Sequence, residues 1–174
     1  MTQLRKGMNQ KQAEQQIWKD NEKRIQEIAL KHPETNGSPI FYFEGVHGFL
    51  SNFAESKIEL SGHSFQNGEA AFQSFKDLSR MSEFATIRPN QAKRLGRQVN
   101  LRADWEQIKD SIMYDVVLAK FSQNDDLKTK LLATNERLLV EGNWWKDKIW
   151  GVAEGKGENR LGEILMRVRK ELQA

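Results

Sequence analysis

No cysteine occurs among the 174 residues, so disulfides and thiolate metal sites are excluded, and a reducing compartment is compatible with the chain. Histidine is nearly as scarce: His32, His47 and His63 are the three copies, and no two stand at metal-ligand spacing. No apolar run approaches the roughly eighteen residues that span a bilayer, and no basic start leads into an apolar stretch. The expectation is a soluble, cytoplasmic protein without a membrane partner. Charge of one sign is lacking as well. The 27 basic and 24 acidic residues leave +3, too small an excess to indicate nucleic-acid binding by itself, so an anionic ligand would need a local cluster. The length suits one domain that can bury a core without staples.

What is present begins with a Gln-, Lys- and Glu-rich start. Over residues 10–31, Ala13, Ile17, Ile25 and Ile28 fall on one helical stripe. The stripe is thin, so this helix is expected to pack on the domain or a partner. A breaker cluster from His32 to Pro39 then reads as a linker, which divides the chain into an N-terminal helical extension, 1–38, and a main domain, 39–174. A short strand is expected over 40–43, and Ser61-Gly62 between 57–60 and 63–65 predicts a small hairpin, where the β content ends. Asn67 is a good N-cap for a helix to about residue 80. Further helices are expected over 90–96, 105–121, 127–133 and 161–172, the second with a core face of Trp105, Ile108, Ile112, Val116 and Ala119. The fold class is therefore α+β and mainly helical.

Two segments carry chemistry. EGNWWKDKIWG, residues 141–151, holds three of the five tryptophans within seven positions and fits neither helical nor strand periodicity. Tryptophan combines a flat stacking face with one N–H donor, which suits an apolar pocket that must also orient something polar. In GEAAFQSFKDL, from Gly68, residues Glu69, Gln73 and Lys76 are spaced four and then three apart and share one helix face. That face is either solvated or, with small Ala70 and Ala71 beside it, covered by another element. Burial disfavours the charged form of a carboxylate or an amine, which is how either becomes a catalyst.

The ordered motifs FLSNF, GEAAFQSFK, AKRLGR, LRADWEQIKDSIMYDVVLAKFSQN, EGNWWKDKIWG and GENRLGEILMRVR resemble the NADAR family, also called YbiA-like, from about Phe41 to Leu172. Residues 1–38 lie outside the resemblance. It implies a compact YbiA-like α+β domain with no obligatory metal or other cofactor. It also implies an N-glycosidase acting on phosphorylated early intermediates of riboflavin biosynthesis. An alternative is removal of ADP-ribose from guanine bases in nucleic acid, and a third reading is non-catalytic binding of an NAD- or ADP-ribose-type ligand. A fourth is an interaction protein whose N-terminal helix docks a partner. The expected partners are a phosphoribosyl or ADP-ribosyl small molecule or nucleic-acid-linked ADP-ribose; the oligomeric state is left open.

Breaking a ribosyl C–N bond passes through an oxocarbenium-like state, which calls for negative charge near C1, an activated water or nucleophile, and a proton for the leaving nitrogen. The resemblance points to Glu69 as the carboxylate and to Asp147 as the second acid/base, against an Asx turn for the latter. It points to Lys76 as a phosphate contact or a Schiff-base nucleophile. Asn52 is read as holding its turn, contacting ribose, or both; Trp105 as core or as a stacking face. Trp144 and Trp150 are the stacking candidates, oriented by Asn143. Arg97, with Arg94 and Arg102, and Arg160 beside Asn159, are candidate anion contacts, each set against plain solvation or capping. Where the family's helix motif often has histidine after the glutamate, this chain has Ala70, which removes one possible general acid. The tryptophan segment and the Glu69 helix are expected to act as two parts of one site.

Overall fold

A computed structural model describes residues 7–173. The fold is α+β and mainly helical, with one two-stranded antiparallel sheet. Two units are distinguished, one of residues 7–48 with Thr134–Met166, the other of Phe49–Ala133 with 167–173. Among the described residues no helix is long and apolar enough to cross a membrane.

In the first unit, α1 (Gln10–Ala29) opens on a capping box. Asn9 accepts from the Gln12 N–H while the Gln12 side chain accepts from the Asn9 N–H, both at 2.9 Å. Its stripe is buried as expected, with Asn21 added to Ala13, Ile17, Ile25 and Ile28. Ile25 and Ile28 pack on Leu138, Val140 and Val152; Ala13 and Ile17 pack with Tyr42. The segment after the linker runs beside residues 136–142, through Asn36 N–H to Glu136 O, Ile40 N–H to Leu138 O and Gly142 N–H to Phe41 O. Ile40 makes only an isolated parallel bridge to Leu139, so the expected strand over 40–43 is absent. The bridges Gly142 to Val152 and Ala153 to Lys156 also show that β pairing continues beyond the hairpin, contrary to expectation.

In the second unit, β1 (Glu55–Leu60) and β2 (His63–Asn67) form the hairpin, with Leu60 opposite His63 and a register irregularity between Glu55 and Ile58. Ser61 and Gly62 both have positive φ, 51° and 77°, the paired left-handed geometry that matches strand twist. Asn67 caps α2 (Gly68–Ser74) by accepting from the Ala70 N–H at 2.8 Å. The helix stops at Phe75 rather than near residue 80. Asp77 takes the Ser79 N–H and starts a separate 3₁₀ segment, Leu78–Phe84, so a competing cap ends what the periodicity would have continued. Then follow α3 (Pro89–Leu95), α4 (Trp105–Ser122) and α5 (Asp125–Leu132). The final helix, α6 (Arg160–Gln173), begins in the first unit and ends in the second. On α4 Trp105, Val116 and Ala119 of the expected face are buried, whereas Ile108 and Ile112 are only partly so, and Lys109, Met113, Val117 and Lys120 are buried instead.

Candidate active site

The sequence candidates divide between the two units. In the second unit every residue of α2 is buried, including Glu69 and Gln73 at 8 % and 6 % exposure. The solvated-face alternative for this helix is thereby excluded. Gln73 Nε2 donates to Glu69 Oε1 at 2.9 Å, one turn along the helix, while Gln73 Oε1 is buried without a hydrogen-bond partner. Gly96 makes room for that amide: a Cβ there would collide with Gln73 Oε1. The glycine is needed for this close approach and not for its backbone, which is right-handed at φ −62°.

Lys76 follows the helix and points over the Trp105 ring, 5.6 Å from its centroid, while donating to Gly96 O at 3.3 Å. Burial holds its ammonium below the ordinary lysine range; Glu69 opposes this, and the like charges of Arg97 and Lys93 add to it. Trp105 is itself buried and packs against Phe72 with ring centroids 5.1 Å apart, so of its two readings the geometry favours core. Asn52 is buried beneath the start of α2. Its backbone carbonyl accepts from the Glu69 N–H at 3.0 Å, its Nδ2 reaches Met113 Sδ at 3.1 Å, and its Oδ1 lies against Gly68 without a hydrogen-bond partner. Arg94 and Arg97 are exposed, and Lys93 lies over the Phe53 ring at 5.8 Å. Arg102 is instead held in a two-point pair by Asp104, at 2.6 and 3.0 Å.

In the first unit, Asn143 is an organiser of the tryptophan-rich segment. It is buried at 2 %, accepts from the Asp147 N–H, and donates to the carbonyls of Asp147 and Val152. Asp147 Oδ1 accepts from the N–H groups of both Ile149 and Trp150 at 3.0 Å, the Asx-turn geometry, which leaves Oδ2 as the oxygen open to other work. Trp144 packs on Tyr42 and edge-on to Trp145, and with Ala13, Gln16, Ile17 and Asp20 of α1 it lines a small pocket. Arg160 pairs with Glu158 at 2.7 Å. Asn159 is buried; its Nδ2 donates to Leu139 O and its Oδ1 accepts from the Glu141 N–H, a structural use of both ends. Among the described residues no three histidine, aspartate or glutamate side chains gather to hold a metal ion.

Three contributors escaped sequence reasoning. Gly96 reads as a helix stop, although its neighbour Gln73 requires it. Asn21 looks like a gap in the α1 stripe, yet it accepts from the Gly155 N–H at 2.9 Å. Lys120 carries a readable signal, being a lysine seven positions after Met113 on the same helix face.

Residues 40–173 match the NADAR domain family. The chain belongs to the NADAR family. A protein named N-glycosidase YbiA from Escherichia coli (strain K12) is 38 % identical over 132 residues, 72 % of this chain and 82 % of that protein. An N-glycosidase of Nostoc punctiforme is 35 % identical over 136 residues, 73 % of this chain and 86 % of that one. A riboflavin biosynthesis protein of Vibrio vulnificus is 40 % identical over 143 residues, 78 % of this chain, but this chain spans only 39 % of that relative's length. The solved NMR structure of E. coli YbiA is similar with a TM-score of 0.69 at 35 % identity, covering 80 % of this chain and 89 % of that one. Helix α1 lies outside the NADAR match.

Proposed function

We infer that this NADAR chain is an N-glycosidase that hydrolyses the N-ribosidic bond of a phosphoribosylated small molecule of the riboflavin-intermediate type. The observation that carries this reading is the buried Glu69–Gln73 pair with Lys76 beside it, in a family whose members are named N-glycosidases. Glu69 supplies negative charge for a cationic C1 or takes a proton from the attacking water as the O–C1 bond forms. The C1–N bond breaks with its electron pair on the base nitrogen, which receives a proton. Gln73 fixes the Glu69 carboxylate through Nε2. Asp147, through Oδ2, is proposed as the second acid/base. Lys76 either binds the phosphate as ammonium or, as a neutral amine, attacks the ring-opened C1 aldehyde to form an imine with loss of water. Asn52 and Arg97 are proposed to contact ribose and phosphate, and Asn143 to hold Trp144 and Trp150 for stacking. Arg160 completes the proposed binding set, while Trp105, packed in the core against Phe72, backs Lys76 with its ring face.

One observation favours a second substrate class. Between Glu83 and Asp104 the chain has five basic residues and no acidic one, and Arg88, Arg94 and Arg97 are exposed. That concentration suits a polyanion, as in removal of ADP-ribose from guanine in nucleic acid. Purified protein incubated with a phosphoribosylated aminopyrimidine and with guanine-ADP-ribosylated DNA decides between them, through release of ribose 5-phosphate or of ADP-ribose. Turnover of the DNA substrate that falls steeply with salt supports the second class; salt-insensitive release of ribose 5-phosphate supports the first. Borohydride trapping of a protein–sugar adduct marks the imine route. Full activity of both Glu69→Gln and Asp147→Asn removes the catalytic assignment, and no release from either substrate leaves ligand binding as the function.

A further inference from the structure

Lys120, near the end of α4, has 0 % exposure and no carboxylate partner among the described residues. Charged side chains are rarely buried without compensation. Its Nζ donates to the carbonyl of Phe49 at 2.7 Å and to that of Ser51 at 2.8 Å, and it lies 5.0 Å from the centroid of the Phe121 ring. Two carbonyls and an aromatic face thus surround the three N–H bonds of an ammonium. A neutral amine, with two N–H bonds, still satisfies both carbonyls.

The two carbonyls flank Leu50 and lead into Asn52: Phe49 lies in a 3₁₀ stretch, Gly45–Leu50, and Ser51 opens a turn that the Ala54 N–H closes on the Ser51 carbonyl at 3.1 Å. Met113 lies seven residues before Lys120 on the same face of α4, and it meets Asn52 Nδ2. Two α4 side chains therefore hold successive parts of one segment, Phe49–Asn52. The next link is the Asn52 carbonyl, which accepts the Glu69 N–H at 3.0 Å and so connects the segment to the first turn of α2. We propose that Lys120 is a positioning residue: it fixes the Phe49–Asn52 segment against α4 and, through the Asn52 carbonyl, sets the register of the helix that carries Glu69. The catalytic consequence rests on the N-glycosidase reading of Glu69, whereas the positioning itself does not.

The test reads hydrogen exchange of the Glu69 amide by NMR, with the Val116 amide in α4 as a reference for global opening. In Lys120→Met the Glu69 amide exchanges at least tenfold faster relative to Val116 than in wild type. Because the chain has no cysteine, Lys120→Cys can be alkylated at that one position in denaturant and refolded. Aminoethylation, which restores an amine at the same reach, returns Glu69 protection to the wild-type level; ethylation, which restores the chain as far as the ε-carbon without the amine, does not. An unchanged Glu69-to-Val116 ratio in Lys120→Met, or full protection in the ethylated protein, overturns the proposal. If Lys120→Met does not fold, the two alkylated proteins decide, and an aminoethylated protein with an unprotected Glu69 amide also overturns it. The same preparations are assayed for release of ribose 5-phosphate, where Lys120→Met is expected to lose at least tenfold in kcat with KM within twofold. Selective loss of Glu69 protection in protein whose wild type has no turnover would leave the positioning intact and remove the N-glycosidase reading instead.

Discussion

Gln73 Nε2 is bonded to Glu69 Oε1 at 2.9 Å inside a helix with no exposed residue. An amide one turn away gives the carboxylate a fixed orientation while adding no charge. The arrangement depends on Gly96, since any side chain there meets Gln73 first. Gly96→Ala, whose backbone conformation alanine tolerates, is expected to displace the Gln73 amide and remove its hold on Glu69 Oε1. Small-to-large changes in packed sites cost about 1–3 kcal/mol, so the variant should remain folded by circular dichroism. Its kcat should fall by roughly ten- to a hundredfold, the scale of a small misplacement of reacting groups. Wild-type activity in a folded Gly96→Ala protein would detach Gln73 from the mechanism.

Lys76 can be assigned its role by the sign of one limb in the pH profile. Burial, assisted by Arg97 and Lys93 and opposed by Glu69, lowers its folded pKa from the ordinary lysine value. If a neutral amine attacks C1, activity rises as pH rises through that folded pKa. If the ammonium binds phosphate, activity falls through the same range. Arg97→Gln removes a like charge, so in either case the limb moves to higher pH, by roughly a few tenths of a unit for a solvent-screened neighbour. A limb that stays in place in Arg97→Gln belongs to another group.

The legible parts of the fold were those in which apolar period and cap chemistry agree. The α1 stripe and its N-terminal start, the Ser61-Gly62 hairpin and the Asn67 cap are of this kind. The local pattern misleads where a polar side chain is satisfied by distant backbone. On α4, Ile108 and Ile112 outrank lysine by hydrophobicity, yet the carbonyls of Phe49 and Ser51 draw Lys120 into the core, and no local pattern discloses them. At the candidate site, the spacing of Glu69, Gln73 and Lys76 is visible. The burial of Glu69 and Gln73 is not, because the element that closes on Gln73 approaches through Gly96, twenty-three residues further along. The tryptophan-rich segment is irregular by its residue pattern, but the reason for its irregularity is Asn143, which closes the loop through four hydrogen bonds.

Helix α1 lies outside the NADAR match, but it supplies two of the five buried residues of a core cluster. Its Ile25 and Ile28 meet Leu138, Val140 and Val152, Asn21 accepts the Gly155 N–H, and Arg24 donates to Gly157 O at 2.8 Å. Ile25→Ala is expected to destabilise the protein by about 2–5 kcal/mol, the range for truncating a buried isoleucine. Removal of residues 1–29 should abolish near-ultraviolet circular dichroism from the tryptophan-rich segment. A truncated chain with wild-type spectra and melting would instead make α1 a detachable arm.

His32 ties the segment after α1 to the first turn of α6, with Nδ1 2.9 Å from Glu34 and Nε2 2.8 Å from Glu163. Desolvation lowers its pKa, but the hydrogen bonds and charges of the two glutamates outweigh that and raise it above 6.5. A raised folded pKa means that the ionic contribution is fully present below the unfolded value, near 6.5, and is lost as pH rises through the folded one. Urea denaturation of wild type and His32→Gln should therefore show a larger stability gap at pH 6 than at pH 9. A gap that widens toward pH 9 would contradict the assignment.

Lys120 has the opposite linkage. Burial alone pushes its ammonium down to about 7, so between that value and the ordinary lysine range the unfolded chain binds a proton that the folded chain has released. Stability then rises with pH across this window, with a slope of at most about 1.4 kcal/mol per pH unit. Below pH 7 both states are protonated and the penalty for the buried ammonium is present in full. Lys120→Met carries no such group, so the difference in stability between wild type and variant should shift in favour of wild type between pH 7 and 9 and stay level between pH 5 and 6.5. Equilibrium denaturation of both proteins across these intervals is the measurement. A parallel pH dependence would mean that Lys120 keeps its proton in the core, with the two carbonyls and the Phe121 ring compensating the charge in full.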